Sequence, residues 1–214
     1  MNILVFAAHP DDDILGTGGT IAKLSKEGHN CYAVICSNGE SLLGTHIFKK
    51  TVAIETRINE ATKAGEIIGF KKTMFLGLKD TKLCEVMKDK DVYDRIKRII
   101  KTYNPDRIFT HSIDDPHPDH NTVANVTIEI CQQINYEKPI YSYEIWNPVD
   151  IKKRNLPKMY VDISSTFRQK LKAFRAHESQ FFQTLPVIPS IYIKSIIAGF
   201  KVKARYAEEF SKVQ

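Results

Sequence analysis

The sequence has little of what marks disulfide-rich or membrane-spanning proteins. Its 214 residues include four cysteines, Cys31, Cys36, Cys84 and Cys131, and no two of them have CxxC spacing. No apolar run is long enough to span a bilayer. The thiols are therefore expected to be reduced, as they are in a cytoplasmic protein.

Long runs of basic residues, internal repeats and linker-like tracts are also missing. The 31 Lys and Arg residues outnumber the 25 Asp and Glu residues by six, but they are scattered. A scattered basic excess indicates a solvated surface and not a nucleic-acid interface. Residues 1–8 are apolar, yet they have no basic flank and reach His9 too soon for a signal peptide. We expect residues 1–214 to form a single domain.

Short β-branched runs alternate with longer segments of helical periodicity. Strands are predicted at residues 2–7, 32–36, 73–76, 107–110, 140–145 and 160–163, and helices at 14–27, 47–68, 91–103, 120–134 and about 164–177. This alternation is typical of an α/β protein with a Rossmann-like, doubly wound and mainly parallel sheet. We expect strand order 3-2-1-4-5, with the chain from residue 139 onward as a C-terminal extension packed on the sheet.

Two short clusters of histidine and aspartate follow predicted strands. His9-Pro10-Asp11-Asp12-Asp13 comes after strand one, and His117-Pro118-Asp119-His120 comes after strand four. In the order 3-2-1-4-5 these strands are neighbours where the winding reverses, and ligands bind beyond their carboxyl ends. We therefore expect the two clusters to meet.

Two histidines and one aspartate can form a catalytic zinc site that leaves a fourth position for water. Zinc lowers the pKa of such a water from ~15.7 to ~7. The ligands would come from His9, from Asp11 or Asp12, and from His117 or His120, and the spacing does not choose among them. A carboxylate outside the metal shell can then accept the proton of the water. A histidine outside it can stabilise the oxyanion or protonate the leaving amine.

At these residues the sequence resembles the LmbE-like, or PIG-L, family of zinc-dependent N-deacetylases. Ala8-His9-Pro10-Asp11-Asp12 and His117-Pro118-Asp119-His120 match the two hallmark motifs of that family. Weaker features follow in order: Gly18-Gly19-Thr20, Arg57 with Glu60, Leu76-Gly77-Leu78 with Asp80, and His177 with Ser179 and Gln180. Asp13 departs from the pattern, because the family usually has glutamate there.

The resemblance implies a ligand set and a division of roles. It implies that His9, Asp12 and His120 hold Zn²⁺, with Fe²⁺ as the alternative ion. It also implies that Asp11 is the general base, and that His117 is the electrophilic or acid histidine, oriented by Asp119.

The resemblance further implies that Arg57 and Asp80 contact the sugar. For Arg57 the alternative is an i,i+3 ion pair with Glu60. For Asp80 it is a role in a turn or cap.

The implied activity is removal of the acetyl group from a small N-acetylated amino-sugar conjugate of the N-acetylglucosamine type. A second hydrolase activity stays open, cleavage of another amide such as that of a thiol–sugar conjugate. A third alternative is a non-catalytic, nucleotide- or sugar-binding Rossmann-like protein that uses Gly16-Thr17-Gly18-Gly19 as a phosphate loop. Against it, Ile21 occupies the place of the third glycine.

Residues 188–203 mix apolar side chains with lysine and offer a surface for membranes that carry a lipid-linked substrate. Pro186, Pro189 and Gly199 interrupt this segment, which favours packing against the domain instead. The sequence leaves a homo-oligomeric state open.

Overall fold

The structure is a computed structural model that describes residues 1–39, 50–145, 155–180 and 186–214. Its centre is a seven-stranded sheet in the order β3-β2-β1-β4-β5-β7-β6. The strands are β1 (Asn2–Ala7), β2 (Asn30–Ser37), β3 (Lys72–Leu78), β4 (Arg107–His111), β5 (Ile140–Tyr143), β6 (Lys158–Asp162) and β7 (Ala207–Lys212). Strands β1 to β5 are parallel, whereas β7 runs antiparallel to both β5 and β6. The predicted fold class and the order 3-2-1-4-5 are confirmed.

The described helices are α1 (Asp12–Lys26), α2 (Lys50–Ile68), α3 (Leu83–Val86), α4 (Lys90–Tyr103), α5 (Pro118–Gln133), α6 (Phe167–Phe174) and α7 (Val187–Lys201). Helices α1 to α5 connect the parallel strands β1 to β5, whereas α6 and α7 lie between β6 and β7. The predicted start of the second helix, at residues 47–49, lies outside the described residues. The helix predicted over 164–177 is shorter at both ends in the structure, and a separate 3-10 turn at Glu178–Gln180 follows it after a short break.

Both faces of the sheet are covered, and β1 shows why. Ile3 and Val5 pack into the core on one face, which α1 and α6 also line. Leu4 and Phe6 pack into the core on the other face, with residues of α4 and α5. A strand buried on both faces reads as a continuous apolar run, as residues 3–6 do.

The C-terminal extension contains two elements that the sequence did not predict, α7 and β7. Pro189 does not interrupt α7, because it is the third residue of that helix, where the backbone amide has no intrahelical acceptor. Ile191 and Ala198 are buried, whereas Ile193, Ile197 and Phe200 are exposed. Among the helices that can be described, none combines the length and apolarity required to cross a bilayer.

Candidate metal and catalytic site

The carboxyl ends of β1 and β4 bring the two clusters together. These strands pair directly, with Leu4 opposite Ile108. Just beyond them the ring of His9 lies 5.3 Å from that of His120 and 5.1 Å from that of His117, measured between centroids. Residues separated by more than 100 positions therefore share one site.

His9, Asp12 and His120 converge with the spacing of metal ligands. Asp12 Oδ2 lies 3.2 Å from His9 Nδ1 and 3.4 Å from His120 Nε2. Two ligands of one tetrahedral zinc ion, each bonded at about 2.0–2.1 Å, lie about 3.3 Å apart. Buried His120 Nε2, the nitrogen that faces Asp12, has no hydrogen-bond partner among the described residues. Buried polar atoms are seldom left unpaired, so these residues fit a divalent cation.

The electrostatics of this set also favour a cation. Burial alone would raise the pKa of Asp12, but the neighbouring His120 and His111 hold it well below its usual value. Burial lowers the pKa of His120, and the charge of Asp12 together with the contact to Asp115 outweighs that effect and raises it to about 9. Without a metal, a proton on His120 balances the negative charge of the neighbouring carboxylates. A bound metal ion would balance that charge instead.

In His9 and His120, the ring nitrogen that does not face Asp12 lies next to a buried carboxylate. His9 Nε2 lies 3.1 Å from Asp80 Oδ1 and 3.3 Å from Asp119 Oδ2. His120 Nδ1 lies 3.2 Å from Asp115 Oδ2. A carboxylate in this place fixes the tautomer and direction of a metal-ligating imidazole.

Of the two carboxylates behind the ligand histidines, Asp80 was predicted from the sequence as a site residue and Asp115 was not. Asp80, predicted to contact the sugar, is only 3% exposed and lies behind His9. Its Oδ1 also accepts a hydrogen bond from Thr81 N, the turn role named as the alternative. Sequence reasoning missed Asp115, whose one signal was its place two residues before the second cluster.

His117 Nδ1 is bonded to the main chain and not to a carboxylate. The backbone N–H of Asp119 donates to His117 Nδ1 at 3.2 Å, whereas the Asp119 carboxylate accepts from Leu83 N and faces His9. The Asp119 carboxylate thus lies against His9 and not against His117, and its role in orienting His117 stays a prediction. Because Nδ1 accepts, the neutral ring carries its proton on Nε2. Burial, together with the charges of His120 and His9, lowers the pKa of His117 and keeps the ring neutral.

Asp11 occupies a strained backbone position at the start of α1. Its φ of 116° lies in a region that side-chain-bearing residues rarely adopt. Such strain is typical of functional sites where the surroundings impose it. The preceding carbonyl, Pro10 O, accepts a hydrogen bond from Arg57 Nη2 at 2.9 Å. Burial and the charge of Asp12 raise the pKa of Asp11 to about 7, which suits a general base.

Arg57 is completely buried and acts on this turn. Besides the bond to Pro10 O, its Nε and Nη1 have no hydrogen-bond partner among the residues described. The alternative ion pair with Glu60 is not formed, because Glu60 instead accepts hydrogen bonds from Ser179 N at 2.7 Å and Ser179 Oγ at 2.6 Å. The Arg57 charge nevertheless lowers the pKa of Asp11, against the effect of burial.

Asp13, the position that departs from the family pattern, lies inside the protein next to the ligand set. It is buried, and neither carboxylate oxygen has a hydrogen-bond partner among the described residues. Burial and the charges of Asp11 and Asp12 raise its pKa to about 7. The shorter side chain is therefore accommodated without a polar contact.

Asp115→Asn provides a test of the contact behind His120. We expect metal affinity to fall about 10- to 100-fold, because an outer carboxylate that orients a ligand is replaced by a neutral amide. Competition with a chromogenic chelator measures the affinity. Asp114→Asn, at the adjacent position, is the matched control. Equal affinities in the two variants would mean that Asp115 does not orient the ligand.

With the geometry in place, comparison with known proteins identifies the family. Residues 4–131 match the family described as PIG-L, GlcNAc-PI de-N-acetylase. This chain belongs to the PIG-L family, and the predicted family is confirmed.

Two relatives cover most of the chain. A diacetylchitobiose deacetylase of Thermococcus kodakarensis is 28% identical over 96% of this chain and 80% of its own length. A probable N-acetyl-alpha-D-glucosaminyl L-malate deacetylase 2 of Bacillus cereus is 31% identical over 84% of this chain and 83% of its own length. Both names describe deacetylases.

The fold is also found in an enzyme of another reaction class. The structure of a 4-carboxy-2-hydroxymuconate hydratase of Pseudomonas putida has a TM-score of 0.84 to this chain, at 24% identity, covering 100% of this chain and 96% of the hydratase. At that identity the likeness shows the fold alone. The reaction must therefore be argued from the site.

Proposed function

We propose that this protein is a zinc-dependent N-deacetylase that removes the acetyl group from a small N-acetylated amino-sugar conjugate. The observation that carries the proposal is the convergence of His9 Nδ1, Asp12 Oδ2 and His120 Nε2, with Asp11 and His117 beside them. His9 and His117 are partly exposed, whereas Asp12 and His120 are buried, so a substrate would enter from the side of the first two. The two deacetylase relatives support an amide substrate.

Each residue has a role in this reaction. Zinc, when bound, would polarise the amide carbonyl and lower the pKa of a water. Asp11 accepts a proton from the attacking water and returns it to the departing amine, so the products are acetate and the free amino sugar. His117 donates from Nε2 to the oxygen that becomes negative in the tetrahedral intermediate. A neutral donor suffices for that role, which agrees with a lowered His117 pKa.

The remaining site residues support these groups. We propose that Asp80 and Asp119 position His9, and that Arg57 holds the Pro10 carbonyl so that the strained Asp11 stays in place. A sugar contact by Arg57 or Asp80 stays a prediction. So do the single domain over residues 1–214 and the cytoplasmic location.

The reaction class can be tested with a panel of N-acetylglucosamine conjugates and an acetate assay. We expect acetate release by the zinc-loaded protein, loss of that release after dialysis against a chelator, and recovery when Zn²⁺ is returned. Reloading with Fe²⁺ under anaerobic conditions compares the two candidate ions. Metal-loaded protein that releases no acetate from any conjugate, but hydrates 4-carboxy-2-hydroxymuconate, would show that the proposed reaction is wrong.

A further inference from the structure

The glycine run Gly16-Thr17-Gly18-Gly19 lies inside α1 and not in a phosphate loop. A Cβ atom at Gly16 would overlap the ring of Tyr143, and one at Gly19 would lie 2.6 Å from Ile163 Cδ1. The run therefore forms a groove along the helix. Side chains from the C-terminal half of the chain pack closely into it.

A buried ion pair, Lys170 of α6 with Glu208 of β7, meets α1 along this groove. The two residues are 3% and 5% exposed, and Lys170 Nζ lies 2.5 Å from Glu208 Oε1. A Cβ atom at Gly18 would approach Lys170 Cγ to 3.2 Å, so the side chain of Lys170 runs directly over the helix.

The pair bonds to backbone groups in the middle of α1. Lys170 Nζ donates to Leu15 O at 2.7 Å. Glu208 accepts from Gly19 N at 2.9 Å and from Thr20 N at 2.7 Å. In an undisturbed α-helix, Gly19 N–H would bond to Leu15 O. The ion pair thus engages both partners of one helical hydrogen bond.

These contacts are the ones usually found at helix ends. A carboxylate on successive amide N–H groups is typical of a helix N-terminus, and an ammonium group on a carbonyl is typical of a C-terminus. α1 is one continuous helix from Asp12 to Lys26, and these contacts hold its middle, between Leu15 and Thr20. Because side chains that bond into the hydrogen-bond ladder can bend a helix, the pair can set the direction of the turn that precedes Leu15. That first turn begins with Asp12.

We propose that Lys170 and Glu208 are positioning residues, which set the direction of the first turn of α1 and so place Asp11 and Asp12 against His9 and His120. This inference rests on the metal site of the proposed function. It makes the C-terminal extension part of the machinery that shapes the site.

A gain in stability does not by itself explain the presence of this buried ion pair. Replacing a buried ion pair with apolar residues of similar volume is often neutral or stabilising, because two charges no longer have to be removed from water. The contacts to the middle of α1 give this pair a role besides stability.

The test is the double variant Lys170→Met/Glu208→Leu in the full chain. Without the pair, Gly19 N–H and Leu15 O keep each other as the partners that a regular helix provides, so we expect a folded protein by circular dichroism. We expect its affinity for Co²⁺ and Zn²⁺ to fall about 10- to 100-fold, in the range known for outer contacts of metal ligands. The visible absorption spectrum of bound Co²⁺, which reports coordination geometry, should also change.

A matched control is a partly exposed lysine–glutamate pair that joins β6 to β7. Lys158 Nζ lies 2.9 Å from Glu209 Oε1, and the two side chains are 26% and 31% exposed. Lys158→Met/Glu209→Leu should keep the metal affinity and the Co²⁺ spectrum of the wild type. A folded Lys170→Met/Glu208→Leu protein with unchanged affinity and spectrum would overturn the proposal.

Should the double variant fail to fold, Glu208→Gln decides the matter, because it keeps the shape of the side chain and removes its charge. A weaker metal site in that variant supports positioning, and wild-type affinity refutes it. These readouts are independent of turnover. Wild-type protein that binds metal but releases no acetate would contradict only the proposed function.

Discussion

His120→Ala is expected to lose stoichiometric metal and, with it, all measurable acetate release. The variant leaves two of three protein ligands, and the loss should exceed the ~100-fold that is typical for an outer-shell contact. Metal analysis of purified protein and chelator competition measure this directly. His29→Ala is the control, because His29 lies at the turn before β2, near the N-terminus and Glu27, and should keep full metal content.

The same variant should also be less stable than the wild type when both are metal-free. His120 lies between two buried carboxylates, 3.4 Å from Asp12 and 3.2 Å from Asp115. Removing one partner of a buried charged contact costs about 3–5 kcal/mol, because the remaining charge is buried without compensation. Thermal unfolding in chelator tests this expectation. A variant that kept both metal and stability would exclude His120 as a ligand.

The sequence predicted the sheet and the meeting of the clusters because both depend on strong, local signals. Residues 3–6 of β1 are apolar without alternation, as a strand buried on both faces must be. The place of β1 beside β4 then follows from the winding of an α/β sheet, and the two clusters come together at the strand ends. No side-chain detail was needed for that step.

The contacts inside the site could not be predicted in the same way, because they depend on side-chain rotamers and on the path of the backbone. Asp119 adjoins His120 and lies two residues from His117, and the motif does not say that its carboxylate faces His9 instead. Asp80 reaches His9 from the loop after β3, 71 positions away in sequence. Asp115 lies outside both motifs, although it contacts a ligand histidine.

The C-terminal extension was hard to predict for a different reason. Prolines and glycines end helices in most contexts, but Pro189 lies in the first turn of α7 and Gly199 near its last. The glycines of α1 were predicted to lie in a helix, with a phosphate loop as the alternative, but the sequence did not show that they admit Tyr143, Ile163 and Lys170. Whether a glycine serves a turn or a close contact depends on residues that are distant in sequence.

Asp11→Asn is expected to keep the metal and lose about 10²- to 10⁴-fold in kcat, the usual contribution of a general base. Asparagine is nearly the same size as aspartate but cannot accept the proton of the attacking water. It is also among the residues that best tolerate positive φ, so the backbone at 116° and the bond from Arg57 to Pro10 O should persist.

The decisive comparison for Asp11 is with Asp12→Asn, at the adjacent position. That variant removes the charged oxygen that lies between His9 and His120, so it should lose metal as His120→Ala does. Metal content and kcat, measured on the same preparations, separate the two aspartates. If Asp11→Asn lost metal while Asp12→Asn kept it, the roles of metal ligand and general base would have to be exchanged between the two residues.

Full turnover by Asp11→Asn would instead mean that another residue is the general base. The candidates then would be the other buried carboxyl with a raised pKa, Asp13, and the partly exposed His117.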